Sequence, residues 1–159
     1  MASLPPFQSL IDDHGRDVHR FLIANVGAVD ADDCWQETWL SALRAYPALR
    51  DARNLRSWVF TIAHRKAIDN ARARGRRAIP VPEAAELAGG QPAPADTPAD
   101  EELWTSVAQL PDKQRAAVTL RFVADSAYAE IGEVMGISEE AARRNVYEGL
   151  QRLRKELNR

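Results

Sequence analysis

A chain of 159 residues, 45% hydrophobic and 28% charged with a formal charge of −2, fits one largish or two small foldable domains. No apolar run approaches the roughly 18 residues that span a bilayer, and MASLPPFQSL at the N-terminus lacks a basic segment leading into an apolar core, so a cytoplasmic location without membrane insertion is expected. A lone cysteine (Cys34) and three scattered histidines exclude an internal disulfide and metal-ligand spacing, and no phosphate-binding loop, dinucleotide fingerprint or nucleophile elbow occurs, so neither cofactor nor catalysis is expected.

Phe7, Leu10, Ile11, His14, Val18, Phe21 and Leu22 recur three and four residues apart, which predicts an amphipathic helix over 7–25. Asp30 offers an N-cap for a second helix, on which Trp35, Thr38, Trp39 and Ala42 share a face, and Pro47 ends it. A third helix is predicted to start between Asn54 and Ser57 and to carry Trp58, Val59, Ile62, Ala63 and Ala67. Gly75 and Pro80 are expected to stop it. Its second half is strongly basic: TIAHRKAIDNARARGRR, residues 61–77, holds six bases and one acid. Residues 78–103 reverse the sign, with six acids and no base. Rich in Pro, Gly and Ala and poor in large apolar side chains, this stretch buries too little surface to offset the entropy of ordering, so 79–100 reads as a flexible acidic linker. Such a charge run could also mimic nucleic acid in a basic channel.

Beyond the linker, ELWTSVAQL predicts a short helix, and Pro111 opens another containing Val118 and Leu120. Tyr128, Ile131 and Val134 then mark one face of a short helix, followed by Gly136 where a sharp turn needs positive φ. Ile137 can plug the angle, Ser138 is a good N-cap, and Glu139 and Glu140 suit the positive end of the next helix. Ala142, Val146, Leu150 and Leu153 line its inner face. Nothing alternates with period two, so the fold class is all-α: two small helical domains, 1–78 and 101–159, joined by the linker. Helix, Gly-containing turn and helix have the spacing of a helix-turn-helix. Arg143, Arg144 and Asn145 lie near the start of its second helix, and Arg pairs with guanine as Asn does with adenine. Taken alone, the stretch also reads as an αα-hairpin with solvated arginines.

FQSLIDDHGRDVHRFL, ADDCWQETWLSALRAY, LRDARNLRSWVFTIAHRKAIDNARARGRR and residues 107–155 resemble, in that order, regions 2.1, 2.2, 2.3–2.4 and 4 of the extracytoplasmic-function (group 4) sigma factors of bacterial RNA polymerase, in the sigma-70 family. The resemblance implies a sigma-2 domain for core binding, −10 recognition and melting, and a sigma-4 domain for the −35 element. It implies that Asp32, Asp33, Gln36, Glu37, Trp39 and Arg44 on the second helix dock on the β′ coiled coil of core RNA polymerase, with the β flap as a second contact. Of Trp35 and Trp39, four residues apart, one packs inward and the other can anchor that interface; Trp58 reads as core. The loop at 49–55 would capture a flipped −10 base, with Arg50, Asp51, Arg53, Asn54 and Arg56 as candidates. His64, Arg65, Lys66, Arg72 and Arg74, with Arg76 and Arg77 beyond them, would follow promoter DNA along the basic helix. Arg121, Ser138, Arg143, Arg144, Asn145 and Tyr147 are the −35 candidates.

Two stretches depart from the family. Glu140-Ala141-Ala142-Arg143-Arg144-Asn145 stands where Gly-Thr-Val-Lys-Ser-Arg is common, which points to an unusual −35 sequence. Asp125-Ser126-Ala127 replaces Gly-Leu-Ser before the tyrosine, which leaves the packing of that turn open. With no sensory domain expected after region 4 and no inhibitory segment before Phe7, regulation is expected from an anti-sigma factor or from transcriptional control. Two other functions compete: a stand-alone helix-turn-helix regulator, and a sigma-like adaptor that sequesters an anti-sigma factor. The Asp-Gln-Glu helix argues against the regulator, which has no need of it.

Overall fold

The computed structural model describes residues 4–77 and 98–158. Its helices are α1 (Phe7–Val26), α2 (Ala28–Ala45), α3 (Leu55–Arg77), α4 (Pro98–Ala108), α5 (Asp112–Phe122), α6 (Tyr128–Met135) and α7 (Glu139–Leu157), with a 3₁₀ turn at Tyr46–Ala48. Among the described residues there is no strand, as the absence of period-two patterning predicts.

The junction between α1 and α2 is a single residue. Gly27 adopts φ 87°, donates its N–H to Ile23 O at 3.0 Å and accepts from Ala31 N at 3.1 Å. Such a reversal needs a residue without a Cβ. It moves the start of α2 ahead of Asp30, which therefore is not the N-cap. Asp30 sits in the first turn instead, where it accepts from Asn70 Nδ2 at 3.1 Å and pairs with Arg74 Nε at 2.8 Å. Those bonds fasten the beginning of α2 to the last turns of α3. Gly75 likewise does not stop α3, which runs through it to Arg77. Most of the expected linker lies outside the described residues; α4 begins at Pro98, inside the span expected to be linker.

Helices α1 to α3 form one bundle. The stripes read from the sequence meet along its axis, where Val18, Phe21, Leu22, Ala31, Ala42, Val59, Phe60 and Ala63 are buried. Phe21 and Phe60 pack edge to face, with ring centroids 5.7 Å apart. Each large side chain buried this way contributes about 1.5–3 kcal/mol. Helices α5 to α7 form a second group, closed by α4 through a small cluster of Val107, Leu110, Val118 and Leu153.

The two groups pack against each other. Leu120, Ala124, Ile131 and Val134 belong to the same apolar cluster as the bundle core. A polar seam borders this contact. Asn25 Nδ2 donates to Thr119 Oγ1 at 2.9 Å, and Arg115 Nη1 donates to Asn25 O at 3.2 Å. Asn54 Nδ2 donates to Glu133 at 2.9 Å. Arg56 pairs with Asp17 at 3.3 Å, lies 5.0 Å from the Phe60 ring centroid, and donates to the carbonyl of Ala124.

Candidate nucleic-acid interface

The turn between α6 and α7 follows the sequence reading. Gly136 takes the left-handed conformation, φ 68° and ψ 35°, and ends α6. Ile137 N donates back to Gly132 O at 2.9 Å. Ser138 then caps α7, its hydroxyl accepting from Ala141 N at 3.0 Å. That bond satisfies one of the N–H groups a helix start leaves unpaired. Ala142, Val146 and Leu153 turn inward and are buried. Glu140, Arg143, Arg144 and Tyr147, spaced 3, 4 and 7 along the helix, turn outward. Tyr147 is 64% exposed.

Arg121 reaches this surface from α5. Its Cζ lies 4.4 Å from the Tyr128 ring centroid, and the Cζ of Arg143 lies 5.1 Å from the same centroid. Arg121 also donates to Ser126 O at 3.1 Å, and Arg143 to Glu139 at 3.1 Å. The fold therefore brings Arg121 and Arg143 together on Tyr128, with Arg144 and Tyr147 exposed further along α7. Two other −35 candidates are occupied within it: Ser138 serves as the cap, and the Asn145 amide donates to Ala141 O at 3.0 Å.

The expected −10 residues do not share one face. Arg50, Asp51 and Arg53 are exposed in the loop ahead of α3. Hydrogen bonds from the Arg53 side chain and N–H hold the Asp51 carboxyl below its usual range. Asn54 and Arg56 instead make the seam bonds described above. On α3, Arg65 is exposed, while Lys66 turns toward α2 and Arg74 is tied to Asp30. His64 and Arg72 line a groove of about 460 Å³ whose opposite wall includes Lys113, Met135 and Ile137. Burial, then the neighbouring Arg65 charge, holds His64 below its ordinary pKa.

Helix α2 offers a separate surface. Asp32, Asp33, Gln36, Glu37 and Arg44 are exposed, with Asp32 bonded to His19 Nε2 at 2.8 Å. Trp39 corrects the sequence reading. It is 5% exposed and packs against Phe7 and Trp35 with centroids 6.0 and 6.1 Å away, so it belongs to the core rather than to this surface. Trp35 is also held inward, its Nε1 donating to Gly15 O at 2.9 Å. The apolar part of the surface is Leu40 and Leu43, 52% and 51% exposed, which the sequence reading missed. Part of their signal was available: Leu40 lies off the stripe of Thr38, Trp39 and Ala42, beside Glu37 and Arg44, whereas Leu43, four residues after Trp39, sits at its edge. Glu37, Leu40, Ser41, Arg44 and Lys66 line a shallow hollow of about 350 Å³.

An outward basic stripe on a helix-turn-helix and an amphipathic exposed face on α2 thus occur in one chain. Its sequence matches the family models for sigma-70 region 2 over residues 10–77 and sigma-70 region 4 over residues 100–153. The chain belongs to the extracytoplasmic-function sigma factors of the sigma-70 family. This sigma factor is 30% identical to the RNA polymerase sigma factor CarQ of Myxococcus xanthus, over 93% of this chain and 87% of that one. It is 28% identical to the RNA polymerase sigma factor SigV of Bacillus subtilis, over 94% and 89%. In fold it resembles the sigma factor RpoE of Bartonella quintana, solved with the anti-sigma factor NepR, with TM-score 0.82, 20% identity and 96% of each chain covered. Region 2 of this sigma factor accordingly comprises α1–α3 and region 4 comprises α4–α7. Among its described residues no helix is long and apolar enough to cross a membrane, and no three metal-ligating side chains converge.

Proposed function

We propose that this sigma factor docks on core RNA polymerase through α2, engages the −10 element through the loop before α3 and basic residues along that helix, and reads the −35 element through α7. The observation that carries the reading is the α2 face. Gln36, Glu37, Leu40, Leu43 and Arg44 are exposed together, a mixture of apolar contact and charge that suits a protein partner and has no use in a simple DNA-binding regulator. On region 4, Arg143 and Arg144 stand where a recognition helix meets base edges. In region 2, Asn54 and Arg56 are engaged by region 4, so capture of a −10 base by that loop requires the two regions to part. An anti-sigma factor is a further partner, supported by the solved sigma–anti-sigma complex whose sigma chain shares this fold.

Competition for purified core enzyme tests the docking surface. A Gln36→Ala/Glu37→Ala chain should compete poorly with the unchanged protein, because truncating hydrogen-bonded charges in an interface costs about 2–5 kcal/mol. Helicity and binding of −35 duplex should be retained. Undiminished competition would remove these residues from the interface.

A further inference from the structure

Arg143 projects from the second turn of an exposed helix, where an unsupported arginine samples many rotamers and pays entropy to settle on one. Here it is held on two sides. Glu139, one turn earlier, accepts from Nη2 at 3.1 Å, and the Tyr128 ring lies 5.1 Å from Cζ. The same ring lies 4.4 Å from Cζ of Arg121, which is anchored by its bond to Ser126 O. Both distances are inside the roughly 6 Å reach of a cation–π contact. Two guanidinium groups brought near each other repel. An electron-rich ring in contact with both offsets that repulsion and lets cations from α5 and α7 converge at one helix start. The ring is itself fixed: Tyr128 is half-buried at the beginning of α6, on the face whose Ile131 and Val134 are buried.

We propose that Tyr128 is a positioning residue for −35 discrimination: it holds the Arg143 guanidinium in a fixed orientation, with Arg121 as the second cation of the stack. The proposal rests on the reading of α7 as the helix that meets base edges. A planar fork pairs with guanine in one orientation. A fork held in that orientation loses less freedom on the correct base and is slow to rearrange for a wrong one. Tyr128 then acts on specificity through Arg143 without needing to touch a base.

The test uses the full-length chain and duplexes selected by it from a pool with the −35 segment randomised. Preference at every position is measured for the unchanged chain, Tyr128→Phe, Tyr128→Leu, Arg143→Ala and the Tyr128→Leu/Arg143→Ala pair, with circular dichroism melts alongside. Tyr128→Met serves as a second ringless variant if the leucine variant folds poorly. The expected result is that Arg143→Ala relaxes one position and that Tyr128→Leu reduces discrimination at that same position by about two- to fivefold. Tyr128→Phe, which keeps the ring, should behave as the unchanged chain, and the pair should lose no more than Arg143→Ala alone. Losses that add in the pair, or a Tyr128→Leu loss spread evenly over all positions, would overturn the positioning role while leaving the reading of α7 intact. An Arg143→Ala profile with no position relaxed would overturn the reading of α7 and the proposal with it.

Discussion

Gly132 lies on the buried side of α6, against the turn into α7. A Cβ built there would stand 2.8 Å from the carbonyl oxygen of Ile137. The clash is with main chain, which cannot rotate away as a side chain does, and this main chain sets the angle of the helix-turn-helix. Gly132→Ala is expected to lower stability by about 1–3 kcal/mol, read as a lower urea midpoint at unchanged slope; an unmoved midpoint would mean the turn yields freely. Asp125 answers the question its sequence raised. It takes φ 53°, a conformation that suits glycine and that aspartate tolerates better than most residues. The aspartate thus occupies a left-handed position in the stretch where the family resemblance led to the expectation of a glycine. Asp125→Val should cost about 1–2 kcal/mol, whereas Asp125→Gly should cost nothing measurable. Equal melting of the two variants would show that backbone strain does not govern this position.

At the scale of the helix, faces decide what each charge can do. Arg72 lines the groove between the regions, whereas Arg74 joins α3 to α2 through Asp30. Arg72→Ala should weaken promoter binding evenly across sequences and reduce the salt slope by about one unit. Arg74→Ala should lower the melting temperature, because it removes the pair with Asp30. An Arg74→Ala chain that melts as the unchanged protein does would contradict that tie between α3 and α2. The buried stripes of α1, α2 and α7 were legible in the sequence because burial on a helix repeats every three to four residues. So was the turn at Gly136 and Ser138, where backbone conformation and capping select particular residue types. The start of α2 was not, since the glycine reversal at Gly27 displaced the better-looking cap at Asp30. The place of Trp39 was not either, because two tryptophans on one face satisfy the same pattern and only packing against Phe7 chooses between inside and outside.

The contact between regions 2 and 4 had no local signature at all, for it joins residues such as Asn25 and Thr119 that lie 94 positions apart. It also places two titratable groups at or beside the seam. Burial and then Arg65 hold His64 below the ordinary 6.5, and burial and then Arg56 do the same for His14. The fold therefore favours both in the neutral form. Their contribution to stability is complete above about pH 6.5 and is lost as the pH falls through that value toward the lowered folded ones. Urea unfolding between about pH 7.5 and 5.5 should show stability falling on acidification. The fall should be smaller in a His14→Gln/His64→Gln chain, and an equal fall would place the pH sensitivity elsewhere. Opening of the seam can be followed by distance labels on cysteines introduced at the exposed Arg20 and Glu148. Cys34 should stay unlabelled, since burial, aided by nearby carboxylates, pushes its thiol up to about 11. The label distance should lengthen when core polymerase binds; an unchanged distance would argue against parting of the regions. The most direct test of the whole account is run-off transcription by purified core enzyme over a genomic DNA library, with and without this chain. The account predicts discrete starts that appear only when the chain is added, share two upstream elements and disappear with Gln36→Ala/Glu37→Ala. A transcript pattern identical with and without the chain would contradict it.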